Sequence, residues 1–121
     1  MELLPADLRA SLPPLYSQEH NPNPRVHLKF FTPDSDWTWF VTEGQPQDDD
    51  FIFFGYVCGF EEEWGYFMLS ELAGIGERGR MPIERDIHFD PGPFPEVIAR
   101  YRTERGQSLG EMTDRWPRPT K

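Results

Sequence analysis

Apolar and polar positions alternate most clearly between residues 25 and 43. In residues 25–31, Val26, Leu28 and Phe30 fall on one side and His27 and Lys29 on the other, the period of a half-buried strand. A short turn, Thr32-Pro-Asp-Ser-Asp36, leads into a second strand over residues 37–43. There Trp37, Trp39 and Val41 share a face opposite Thr38, Phe40 and Thr42. The segment Gly44 to Asp50 reads as a polar loop, and a third strand follows over residues 51–58. Its opening, Phe51-Ile-Phe-Phe54, does not alternate, so both faces are apolar and the strand belongs inside the sheet with cover on both sides. A fourth strand, residues 64–69, follows Glu61-Glu-Glu63 and runs into a short helix with Ser70 at its N-cap. Residues 82–89 add one short edge strand.

The ends of the chain read as helices. Pro5 and Asp7 suit a first helical turn, and Leu4, Leu8 and Leu12 lie on one face until Pro13-Pro14 stops the pattern. Leu15 and Tyr16 then anchor the chain, and Asn21-Pro-Asn-Pro24 is a loop on turn chemistry. Pro95 and Glu96 open a C-terminal helix whose apolar side is Phe94, Val97, Ile98 and Tyr101. After Gly106 the sequence turns polar and proline-rich, the mark of a weakly ordered tail. The expected architecture is α+β: a four- to five-stranded antiparallel meander with short N- and C-terminal helices. It forms one domain over residues 1–105 and a tail over 106–121. Cover for the third strand comes from the terminal segments or from a partner, a homodimer being one such partner.

Composition narrows the class. The 121 residues support one core, and 15% aromatic content can supply most of its buried area. No apolar run approaches the roughly 18 residues that cross a bilayer, and the first residues lack the features of a signal peptide. A single cysteine, Cys58, excludes an intrachain disulfide framework and agrees with a reducing cytoplasm.

Charge changes the picture more. The net charge is −9, and it is concentrated. Residues 34–77 carry eleven carboxylates and no lysine, arginine or histidine. Such a block repels nucleic acid and steers basic partners inward. The residues expected to meet a partner are Asp34, Asp36, Asp48, Asp49, Asp50, Glu61, Glu62 and Glu63.

Catalytic chemistry finds little footing. Gly74-x-Gly-x-x-Gly79 fits the dinucleotide pattern literally, but a helix precedes it and Pro82 follows, so it reads as a loop. The carboxylate triplets lack the alternating spacing and glycine of a calcium loop. His20, His27 and His88 show no metal-ligand spacing, and Cys58 has no basic sequence neighbour. No catalytic residue, metal or cofactor is expected. Thr38, Phe40, Thr42, Trp64 and Tyr66 read either as ordinary cross-strand packing or as a recognition face.

Several stretches carry a resemblance: residues 28–44, 48–60, 65–72 and 82–89, from Leu28-Lys-Phe-Phe through Asp48-Asp-Asp-Phe-Ile-Phe-Phe to Pro82-Ile-Glu-Arg. Over about 80 residues the chain resembles a family of small, functionally uncharacterised bacterial proteins. The resemblance implies a setting on plasmids, phages and integrative elements, and it brings no catalytic residues. The function expected from charge and setting together is a non-enzymatic inhibitor of a host defence complex, CRISPR-associated or restriction-type. Its acidic strand ends would occupy a basic surface meant for nucleic acid. The alternative is an accessory interaction module in plasmid or phage maintenance, working through the aromatic sheet face.

Overall fold

The computed structural model describes residues 1–106. The expected tail beyond residue 106 lies outside the described residues. The chain is α+β: five antiparallel strands form the main sheet, with helices at both ends of the chain.

The elements in chain order are α1 (Ala6–Ser11), β1 (Arg25–Val26), β2 (Leu28–Phe31), β3 (Thr38–Gln47), β4 (Asp50–Cys58) and β5 (Glu62–Met68). There follow α2 (Leu69–Gly74), a 3-10 turn (Ile75–Arg78), β6 (Glu84–Arg85), β7 (Gly92–Pro93) and α3 (Phe94–Glu104). The main sheet has the order β5-β4-β3-β2-β6, a meander to which β6 adds the expected edge strand. The two-residue strands β1 and β7, which alternation alone does not reveal, pair as a separate ribbon.

Both faces of the sheet are covered by the chain itself. One core holds Leu4, Leu12, Leu28, Phe30, Trp39, Val41, Phe51, Phe53, Phe67, Leu72 and Ile83, so α1 and α2 cover that face. The other holds Val26, Phe40, Phe54, Tyr56, Cys58, Trp64, Val97, Ile98 and Tyr101, beneath α3. Phe51 and Phe53 are fully buried without a second copy. The terminal segments therefore supply the cover that a partner was invoked to provide.

The strands depart from the expected pattern at three places. First, the strand expected over residues 25–31 breaks at His27, whose N–H donates to the carbonyl of Val41 at 2.8 Å. Val26 therefore joins the α3 core while Leu28 and Phe30 join the opposite one. Second, the register of β3 against β4 slips between Val41 and Glu43. This bulge leaves Thr42 unpaired and sets Glu43 opposite Phe54, on the α3 side of the sheet. Third, the expected loop at residues 44–50 is mostly strand: β3 continues through Gln47, and Asp48 makes the turn with φ of 55°.

At α2 the N-cap is Met68 rather than Ser70, with the Glu71 carboxylate accepting from the Met68 N–H at 2.7 Å. Ser70 serves Asp50 instead. The glycines 74, 76 and 79 lie in the α2 end, the 3-10 turn and a left-handed cap at Gly79, with no strand leading in.

Candidate partner-binding surfaces

Antiparallel connection decides where the eight expected carboxylates go. Consecutive hairpins of a meander point in opposite directions, so the β3–β4 turn and the β4–β5 turn stand at opposite ends of the sheet. Asp48, Asp49 and Asp50 occupy the first. Asp34, Asp36, Glu61, Glu62 and Glu63 gather at the second, because Thr38 and Cys58 face each other beside the 32–37 turn. The length of β4 separates the ends by roughly 26 Å at about 3.3 Å per residue. That is several screening lengths at physiological salt. The eight carboxylates therefore do not form one patch: they stand at two ends of the sheet, electrically independent of each other. The hairpin order in the sequence already implies this division.

Within each end the carboxylates differ in their freedom. Asp50 accepts from Ser70 Oγ at 2.5 Å, Ser70 N at 3.2 Å and Phe51 N at 2.8 Å. The Ser70 hydroxyl first, then the Phe51 N–H, hold its carboxyl below the usual range. Asp34 accepts from Met81 N at 3.2 Å and Arg80 at 3.3 Å, which likewise lower its pKa, the Met81 N–H foremost. Glu62 pairs with the buried Arg102 and accepts from the Tyr56 hydroxyl at 3.0 Å. Asp36 meets Arg105 at 3.7 Å but keeps 86% of its side-chain surface. Asp48, Asp49, Glu61 and Glu63 are exposed, and among the described residues no cation bridges them. Arginines from the last third of the chain thus neutralise part of the block, and at each end two exposed carboxylates remain without a described cation.

Glu43, counted in the block, is a structural group. It is 1% exposed, and its two oxygens accept from Tyr16 N at 2.7 Å and Gln18 N at 2.8 Å. Tyr16 has φ of 71°, a costly conformation for a bulky residue, and this clamp holds it there. The bulge at Thr42 is what presents Glu43 to that loop.

The aromatic face is equally committed to packing. Thr38, Phe40, Thr42 and Trp64 are buried beneath α3 and residues 13–24, and only Tyr66 is exposed to any extent, at 37%. Trp64 stacks on Phe54 at 5.6 Å and meets Phe94 at 4.7 Å.

Among the described residues the most exposed ring lies elsewhere. Phe60, at the tip of the β4–β5 turn, is 95% exposed. Its ring meets the half-buried Trp37 in a T-shaped contact with centroids 5.4 Å apart, and Trp37 stacks on the core residue Trp39 at 5.8 Å. Gly59 permits this: a Cβ there would come within 2.4 Å of the Trp37 ring. The Gly59 N–H donates to the Glu61 carbonyl at 3.0 Å, which closes the turn. The sequence pattern carried a hint of this, an apolar residue between a glycine and three glutamates.

Two hollows lie on the α3 side of the sheet. One, of about 240 Å³, is lined by residues that include Glu19, His20, Thr42, Glu43 and Trp64. Glu43 there is engaged by backbone N–H groups as described. The other, of about 270 Å³, runs between residues 86–90 and α3, where Lys29 bridges Asp86 at 3.5 Å. Among the described residues no group of three or more His, Cys, Asp or Glu could hold a metal ion. Also among them, no helix is long and apolar enough to cross a membrane. Cys58 is buried, and burial with the nearby Glu62 pushes its thiol up to about 12.

Residues 3–106 match a family model described as "Protein of unknown function (DUF2958)". No curated protein and no solved structure matches the chain.

Proposed function

We propose that this chain, which belongs to the DUF2958 family of proteins of unknown function, is a non-enzymatic binding protein whose β4–β5 turn end meets a basic surface on a protein partner. One observation carries the reading. Glu61 and Glu63 stand exposed beside Asp36 on adjoining turns, with no described cation against the two glutamates. Surfaces that hold nucleic acid present lysine and arginine and respond to charge before sequence. A carboxylate-bearing tip can compete for such a surface. The partner class is therefore a nucleic-acid-binding protein, and a defence complex of the host, CRISPR-associated or restriction-type, is the case to test first. The mobile-element setting that makes such a target sensible comes from the sequence resemblance. Asp48, Asp49 and Asp50 belong to the far end and take no part in this contact.

The test is capture of the partner from host lysate at low and high salt, with wild type, a Glu61→Lys/Glu63→Lys variant and an Asp48→Lys/Asp49→Lys variant. Capture by wild type should fall as salt rises, vanish in the glutamate variant and survive in the aspartate variant. Salt-independent capture that survives the glutamate reversal refutes the proposal.

A further inference from the structure

We infer that the Phe60–Trp37 pair is an aromatic anchor, and that the partner carries an apolar socket ringed by lysine or arginine. The inference rests on the turn end being the binding end and adds the chemistry of the contact. Phe60 stands 95% exposed at a hairpin tip, its one ring contact being with the half-buried Trp37, so most of its apolar surface is left for a partner to bury. The tip is also not free to fold its ring away. Gly59 lies against the Trp37 indole, Trp37 is stacked on buried Trp39, and the turn is closed by the Gly59–Glu61 hydrogen bond. A turn backbone held in place before binding has little conformational entropy left to lose on contact. Interfaces concentrate their energy in such aromatic anchors, surrounded by polar groups that exclude water.

The surroundings define the occupant. Glu61 and Glu63 flank the tip, and Asp36 lies on the adjoining turn. Glu63 pairs across the sheet with Val57, on the face that carries Trp39, so its carboxylate stands on the same side as the ring. A socket ringed by acids would be repelled and a wholly polar one would leave Phe60 unburied. Basic side chains around an apolar centre satisfy both demands.

Two probe peptides of equal charge separate the contributions, one with leucine at helical spacing (i, i+3, i+4, i+7) and lysine on the other face, and one with serine in place of leucine. Their affinities are measured by titration calorimetry against wild type, Phe60→Ala and Glu61→Lys/Glu63→Lys. Wild type should bind the leucine peptide at least tenfold more tightly than the serine peptide. Phe60→Ala should abolish that difference and leave serine-peptide affinity unchanged, while the glutamate reversal should weaken both. Because Phe60 is exposed, the alanine variant keeps the fold, which circular dichroism checks. If Phe60→Ala leaves the leucine-peptide affinity intact while the glutamate reversal weakens both, the anchor is overturned and the charged contact stands. If the glutamate reversal changes neither, the underlying reading fails. Self-association of the free chain that Phe60→Ala removes would assign the tip to a second copy and overturn the socket.

Discussion

Replacing Glu43 with alanine separates the structural carboxylate from the exposed ones. The side chain accepts two backbone N–H bonds, from Tyr16 at 2.7 Å and Gln18 at 2.8 Å, at a site 1% exposed. Hydrogen bonds to a charged acceptor contribute about 1.5–3 kcal/mol each, so losing both sets a range of about 3–6 kcal/mol. The adjoining hollow of about 240 Å³ lets water reach the freed N–H groups, which places the expected loss at the low end, about 3 kcal/mol. At about 4 °C per kcal/mol for a domain of this size, the midpoint should drop by roughly 12 °C. Thermal unfolding followed by circular dichroism measures it. Glu43→Gln keeps one oxygen acceptor and should lose about half as much. Native-state hydrogen exchange gives the local readout, since the Tyr16 and Gln18 amides should lose protection first. A Glu43→Ala protein within about 0.5 kcal/mol of wild type, its Tyr16 and Gln18 amides still protected, would refute the clamp.

Gly59→Ala places a methyl against the Trp37 ring and should cost about 1–3 kcal/mol by denaturant titration, with a shift in Trp37 emission. Cys58, with its thiol pushed up to about 12, should resist alkylation at pH 8 in the folded protein and react at once in denaturant. Burial, aided by Arg25, lowers the His27 pKa below its usual 6.5, so the unfolded chain takes up a proton that the folded one resists. Stability should therefore be full above pH 6.5 and decline as the pH falls below it, and His27→Gln should flatten that decline.

Much of this fold could be read from side-chain period. Alternation in residues 37–43 placed Trp39 and Val41 on one core and Phe40 on the other, and the non-alternating Phe51-Ile-Phe-Phe marked an inner strand with two covered faces. Leu4 and Leu12 are buried but flank α1 instead of sharing a face of it, and of the three leucines only Leu8 packs, half-buried, from the helix itself, while Val97, Ile98 and Tyr101 line α3 as expected. Period reasoning failed where a single backbone event resets the phase. The break at His27 moved Val26 to the other core, and the bulge at Thr42 moved Glu43 inward. Neither is encoded by polarity, because both arise from hydrogen bonds between segments distant in sequence.

The candidate site was legible in composition but not in arrangement. Counting carboxylates treated Glu43, Glu62 and Asp34 as equivalent to Glu61 and Glu63, although the first three are held by Tyr16 and Gln18, by Arg102, and by Arg80 and Met81. Arginines from residues 80–105 found their partners through folding, which a local charge count does not see. The aromatic tip escaped because Phe60 falls between the third and fourth strands, where side-chain period carries no signal. Its exposure follows only from how Gly59 sits on Trp37.

If the β4–β5 end of the sheet does the binding, as proposed, a hydrogen-exchange footprint of the chain in complex with its captured partner will show it. Slowed exchange should concentrate at Trp37 and residues 59–63, with the Gln47–Asp50 turn unchanged. Protection centred on Gln47–Asp50, or spread across α3, would contradict it.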